Sequence, residues 1–129
     1  DAGVTLVAGS DAGIFTNIPG VSLLEELELL TQSGLSPYEA IQTATVNTAN
    51  VLQEPDRACL QDGCFADLVL YACNPVEDLA CIQSPDTVIR AGQVFDRAAL
   101  NTLLETAAHT DTARSETNLI SGLAEQTLQ

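Results

Sequence analysis

The sequence predicts an α/β fold, and three observations carry that prediction. A short apolar run rich in β-branched residues, Val4-Thr5-Leu6-Val7-Ala8, opens the chain. Two helix-starting signals then follow one another, each heading an apolar stripe at helical spacing. From Ala66 onward the pattern changes to period two and short apolar runs broken by turn residues.

The opening run is too short for a helix and predicts a buried strand. It ends in Gly9-Ser10-Asp11-Ala12-Gly13. Gly9 and Gly13 permit a sharp turn and leave space above the strand end. Asp11 therefore stands where a strand gives way to a loop, the end at which parallel α/β folds place their chemistry. On these residues alone, an Asp between glycines reads first as a turn residue.

Ile14 to Gly20 reads as a loop, with Pro19 and Gly20 as breakers. Ser22-Leu23-Leu24-Glu25 forms a capping box that predicts a helix start. Leu23, Leu24, Leu27 and Leu30 make its apolar stripe, with Glu25, Glu26 and Glu28 mostly off it. Gly34 is expected to end this helix in the left-handed conformation. Ser36-Pro37-Tyr38-Glu39 is a second capping box with Pro at the first helical position. Its helix presents Ala40, Ile41, Ala44 and Thr45 inward. A further short turn runs from Asn47 through Leu52, and Glu54-Pro55-Asp56 closes the helical part.

Ala66 to Tyr71 predicts a strand, preceded by a turn at Gln61-Asp62-Gly63. Thr87 to Arg90 and Gln93 to Asp96 predict two strands joined by a hairpin turn at Ala91-Gly92. Asn74 to Leu79 is a loop with room for one helical turn. Asp67, beside a strand start, reads as a structural hydrogen-bonding group, and Tyr38 and Tyr71 read as packing residues. From Arg97 to about His109 the helical pattern returns on Leu100, Leu103 and Leu104. Thr110 to Gln129 is polar and reads as a frayed tail.

Composition narrows the classes of function. The 129 residues carry 18 Asp and Glu against four Arg and no Lys, a net charge of −14. Nucleic-acid binding needs a basic face, and docking on anionic membranes needs basic clusters, so neither partner is expected. No apolar run is long enough to span a membrane. The chain starts at Asp1 and contains no Met, so it is expected to be a piece of a longer protein or a processed product. The four cysteines, Cys59, Cys64, Cys73 and Cys81, do not have zinc-site spacing. They are expected to be small buried thiols, with disulfides as the alternative.

The order of these parts resembles the C-terminal part of the amidohydrolase superfamily, the metal-dependent hydrolases built on a (β/α)8 barrel. The likeness is to its imidazolonepropionase-like and Xaa-Pro dipeptidase-like members. Gly9-Ser10-Asp11-Ala12-Gly13 resembles the end of the eighth barrel strand. Leu24 to Leu30, Ser33 to Ile41 and Ala44 to Ala49 resemble the helices after it. Gly63 to Val69, Asn74-Pro75 and Ile89 to Asp96 resemble the β-rich segment that follows the barrel. The likeness covers about residues 3 to 105. Cys64 stands where a small basic residue is common, and the stretch before Gly63 usually lacks a cysteine, departures that bear on stability.

The resemblance implies a C-terminal fragment of a (β/α)8 TIM-type barrel in residues 1–56, part of a small β-sandwich in 57–97, and a terminal helix and tail in 98–129. It implies that Asp11 is both a metal ligand and a catalytic base. A divalent metal, zinc by expectation, would acidify a bound water, and a carboxylate beside it would take the proton. The substrate implied is a small amide or a dipeptide-like molecule with a C–N bond to hydrolyse. A homo-oligomer stays open, as does the cellular compartment. The family's His-x-His pair, its mid-barrel Lys or Glu and its two further His are missing here, since the chain has no Lys and one His, His109. His109 is expected at the surface and not as a ligand. The alternative is a non-catalytic fragment or a degenerate member with a structural or binding role. A single barrel strand lacks neighbours, so residues 1–56 alone are expected to expose apolar surface.

Overall fold

The computed structural model describes residues 3–13 and 17–108. Two units divide the chain, Asp1–Arg97 and Ala98–Gln129. In the first, three helices come before a small antiparallel sheet.

Helix α1 spans Val21–Gln32. It does not use the expected capping box. Gly20 takes the N-cap position with φ 88°, and no side chain caps the helix. Ser22 lies one residue inside, buried, and its hydroxyl donates backward to the Ile18 carbonyl at 2.9 Å. Gly20 reaches a backbone angle that a serine would adopt at a cost, so the helix begins earlier than the serine signal implies. The other end follows the sequence closely. Gly34 has φ 111°, its N–H donates to Thr31 O at 3.0 Å, and Leu35 N–H donates to Leu30 O at 3.2 Å. These two bonds satisfy the last carbonyls in a Schellman arrangement.

Helix α2, Pro37–Thr43, keeps its capping box intact. Glu39 N–H donates to Ser36 Oγ at 3.3 Å, and Ser36 N–H donates to Glu39 Oε2 at 2.8 Å. The Ser36 hydroxyl, and then its backbone amide, hold the Glu39 carboxyl below its usual range. Thr43, not the expected Thr45, is the buried threonine of this helix. Its hydroxyl donates to Ala40 O at 2.6 Å, which spares it an unpaired buried group. Helix α3, Val46–Val51, follows at once, and a 3₁₀ turn at Pro55–Arg57 closes the helical part.

The core is small. Leu27 of α1, Ala40 of α2, and Leu79 and Ile82 of a 3₁₀ turn at Leu79–Gln83 form its buried cluster. Ala8, Leu24, Leu30, Ile41, Ala44 and Tyr71 pack against it. Burial raises the pKa of the Tyr71 phenol. Tyr38, by contrast, is exposed and is not part of this cluster.

The sheet agrees with the sequence pattern. Strands β1 (Leu68–Leu70), β2 (Thr87–Arg90) and β3 (Gln93–Phe95) pair antiparallel in that order. Leu68 faces Ile89, and Arg90 faces Gln93 across the hairpin. Ala91 and Gly92 have φ of 51° and 80°. Positive φ at both central residues is the type I′ pattern, whose twist matches that of the strands it joins.

Asp67 ties this hairpin down. Its Oδ1 accepts from Ala91 N–H at 2.6 Å, and its Oδ2 accepts from Arg90 Nη1 at 2.9 Å. Arg57 Nη1 lies 3.9 Å from the same Oδ2. Arg57 also pairs with Glu54 and stacks on Phe65, with Cζ 4.5 Å from the ring centroid. The Ala91 amide is the main cause that holds the Asp67 carboxyl below its usual range. Partial desolvation opposes it, and the Arg90 guanidinium adds to it. A pKa lowered on folding favours the fold above the unfolded value of about 3.9, and the gain is lost as pH falls through the folded value. Asp67→Asn is therefore expected to lower the unfolding midpoint at neutral pH and to flatten its decline below about pH 4. Thermal melts of both proteins between pH 2 and 7 check this; parallel curves contradict it.

Two further expectations differ from the structure. Residues 4–8 form no strand: they have no strand partner among the described residues, and Val4, Leu6 and Val7 are 72%, 46% and 46% exposed. A parallel strand is held by neighbours on both sides, and none is present among the described residues. Side-chain and backbone bonds from the helices hold the segment instead. Asn47 Nδ2 donates to Leu6 O at 3.0 Å, and Ala8 N–H donates to Thr43 O at 3.0 Å.

The cysteines are not free thiols. Cys59 pairs with Cys64 and Cys73 with Cys81. Their Cα atoms lie 5.9 and 6.0 Å apart, within disulfide reach. Local turns set both pairs. Gly63 (φ 95°) and a bond from Cys64 N–H to Gln61 O at 3.2 Å fold the first loop back. In the second, Asn74 O accepts from Glu77 and Asp78 N–H, each at 3.1 Å, and Asp78 Oδ1 accepts from Ala80 N–H at 3.0 Å.

Helix α4 runs from Arg97 to Ala108, in the second unit from Ala98 onward, and no residue of it is buried. His109 and the polar stretch after it lie outside the described residues.

Candidate functional site

Asp11 follows the opening segment, just before the turn at Ala12-Gly13. Its φ is 49°, a left-handed angle that Asp and Asn tolerate better than most residues. The residue is exposed. Its neighbours are held from outside the turn. Gly9 N–H donates to Glu26 Oε1 of α1 at 3.1 Å. Asn17 Nδ2 donates to Ser10 O at 3.1 Å and reaches Asp11 O at 3.5 Å. Gly13 N–H donates to Asn17 O at 2.9 Å. The backbone on both sides of Asp11 is thus fixed, while no bond among the described residues occupies its carboxylate.

Glu26, Asn17 and Asn47 escaped the sequence reading. Glu26 lies off the apolar stripe of α1, which marks it only as solvated. The two asparagines act through carbonyls distant in sequence or inside a loop, and no local pattern announces that.

The donor set decides how far a metal fits. Among the described residues no three His, Cys, Asp or Glu side chains gather as metal ligands would. Catalytic zinc takes three protein ligands. Asp11 can supply one, so the described residues do not form a complete metal site. A separate groove of about 560 Å³ lies beside α3, lined by Ala44, Thr48, Leu52, Cys59, Leu60 and Leu68. Its lining is mainly apolar, and Asp11 is not part of it.

A sequence profile of the Amidohydrolase family matches residues 1–95. The chain belongs to the amidohydrolase family. Among its relatives, an imidazolonepropionase of Idiomarina loihiensis is 33% identical over 82 residues, covering 60% of this chain and 19% of that protein. An ochratoxinase of Aspergillus niger is 33% identical over 100 residues, covering 73% of this chain and 20% of that protein. A crystal structure of a Xaa-Pro dipeptidase with methionine bound in its active site superposes with a TM-score of 0.64 at 32% identity. That match covers 73% of this chain and 23% of the dipeptidase. This amidohydrolase chain therefore spans about a fifth to a quarter of the length of its relatives.

Proposed function

We propose that the protein carrying this chain hydrolyses a C–N bond in a small amide, cyclic amide or dipeptide-like substrate. In this reading it depends on a divalent metal, zinc by preference, and Asp11 is both one of the ligands and the base. Residues 1–56 are the end of a (β/α)8 barrel, with residues 4–8 as its last strand. Residues 57–97 belong to a small β-sandwich. The segment 4–8 then has its neighbours in the rest of the protein, which accounts for its exposed apolar side chains here.

One observation carries the proposal: an exposed carboxylate, on a fixed backbone between glycines, in a chain whose residues 1–95 match this family. What Asp11 itself contributes follows from its chemistry. Its carboxylate can accept a proton from a nucleophilic water and return it to a departing nitrogen. The held backbone fixes where the Asp11 side chain leaves the chain. In this reading the 129 residues alone are inactive, because one carboxylate neither holds a metal nor shapes a substrate pocket.

The test is turnover by the whole protein on Xaa-Pro dipeptides, N-acyl amino acids and cyclic amides. Hydrolysis of at least one class, lost with a chelator and restored by zinc, is expected. Absence of C–N hydrolysis across all three contradicts the reading.

A further inference from the structure

We propose that the Cys73–Cys81 disulfide is a redox-sensitive latch that holds half of the small core in place. The 3₁₀ turn Leu79–Gln83 delivers Leu79 and Ile82 to the cluster completed by Leu27 and Ala40. Few other bonds fasten this turn. Asp78 caps its start through Ala80 N–H at 3.0 Å, and Gln83 Nε2 donates to Glu28 Oε1 of α1 at 3.3 Å. Cys81 lies inside the turn and is 7% exposed, between the two core side chains. Cys73 lies just beyond Tyr71, which packs on the same cluster, and is itself exposed. The disulfide therefore joins the exit of β1 to the one element that brings Leu79 and Ile82 against α1.

The two disulfides differ in what they hold. Cys59–Cys64 closes a loop of surface residues, with Leu60 86% exposed inside it. Cleaving it frees no buried side chain. Cleaving Cys73–Cys81 frees the loop 74–80 and removes the covalent limit on how far the turn can drift from the core. Closing a loop restricts the open ensemble, so opening it shifts the local equilibrium toward release.

The chemistry is a dithiol exchange. A thiolate of a dithiol reductant attacks the sulfur of Cys73, the exposed residue of the pair, the S–S bond breaks, and Cys81 leaves as a thiolate that takes a proton. The second thiol of the reductant then displaces Cys73, and the reductant becomes a disulfide. Two electrons and two protons pass to the protein. The core is thus held more firmly in an oxidising setting, where such bonds persist.

The experiment uses the whole protein, purified without reductant, then treated or not with dithiothreitol and followed by amide hydrogen exchange and thiol alkylation. Before reduction, Cys73 and Cys81 are expected to resist alkylation. After it, both are alkylated, and exchange at 79–83 and around Leu27 rises about tenfold or more. The Cys59→Ser/Cys64→Ser variant is expected to show the same response. The Cys73→Ser/Cys81→Ser variant is expected to exchange fast at 79–83 without reductant. If that variant does not fold, the wild type and the Cys59→Ser/Cys64→Ser protein still decide. Alkylation of Cys73 before reduction overturns the proposal. So does unchanged exchange at 79–83 after reduction, or a response that disappears with Cys59 and Cys64.

Discussion

Asp11→Asn in the whole protein is expected to lower kcat/KM by roughly a thousandfold or more, in the range that loss of a positioned acid–base group produces. The substitution isolates the carboxylate. Asn has nearly the same shape and tolerates the left-handed region at least as well, so a φ of 49° is kept without new strain. The bonds that fix this turn run from Gly9 N–H to Glu26 and from Asn17 to backbone carbonyls, and none uses the Asp11 side chain. What changes is the charge and the proton-accepting oxygen. Matched circular dichroism spectra and thermal midpoints establish that the fold is intact, and steady-state kinetics give the loss. Near-normal turnover with an intact fold removes Asp11 from the chemistry.

Leu27→Ala is expected to cost about 2–5 kcal/mol, the range for deleting a buried leucine side chain and leaving a cavity. Leu27 is 6% exposed and touches the cluster built by α2 and the 3₁₀ turn. Ala40, Leu79 and Ile82 are the other buried members of that cluster, and Leu24 and Leu30 of α1 are only partly buried against it. Leu29, two residues on, is 58% exposed, and Leu29→Ala is expected to stay within about 0.5 kcal/mol. Denaturant unfolding of the two variants side by side checks the contrast. Equal losses at both positions contradict this core.

Local signals were legible wherever the local chain settles its own structure. The box of Ser36 and Glu39, the Schellman end at Gly34 and the hairpin at Ala91-Gly92 all depend on residues close in sequence. Reading failed where a competing residue or a distant partner decides. Gly20 reached a backbone angle that displaced Ser22 from the cap, and Ser22 turned inward to Ile18. Thr43 was passed over for Thr45 because the buried face of so short a helix is set by α1 and not by its own period. The thiols paired because two turns brought them within reach, which spacing alone left open. The segment 4–8 carries strand composition, but strand pairing is a property of neighbours, and composition does not supply them. Asp11 shows both sides. Its place after an apolar run was readable, and so was its flanking by glycines. The bonds from Glu26 and Asn17 that steady it come from outside the motif.

The central claim is that this chain brings one ligand to a metal site completed by the rest of the protein. Metal content after dialysis, by elemental analysis, tests it most directly on three samples: the whole protein, its Asp11→Asn variant and the isolated 129-residue chain. The account predicts stoichiometric divalent metal in the whole protein, a reduced content in the variant, and none retained by the isolated chain. Stoichiometric zinc held by the isolated chain, or a whole protein that holds none, contradicts it.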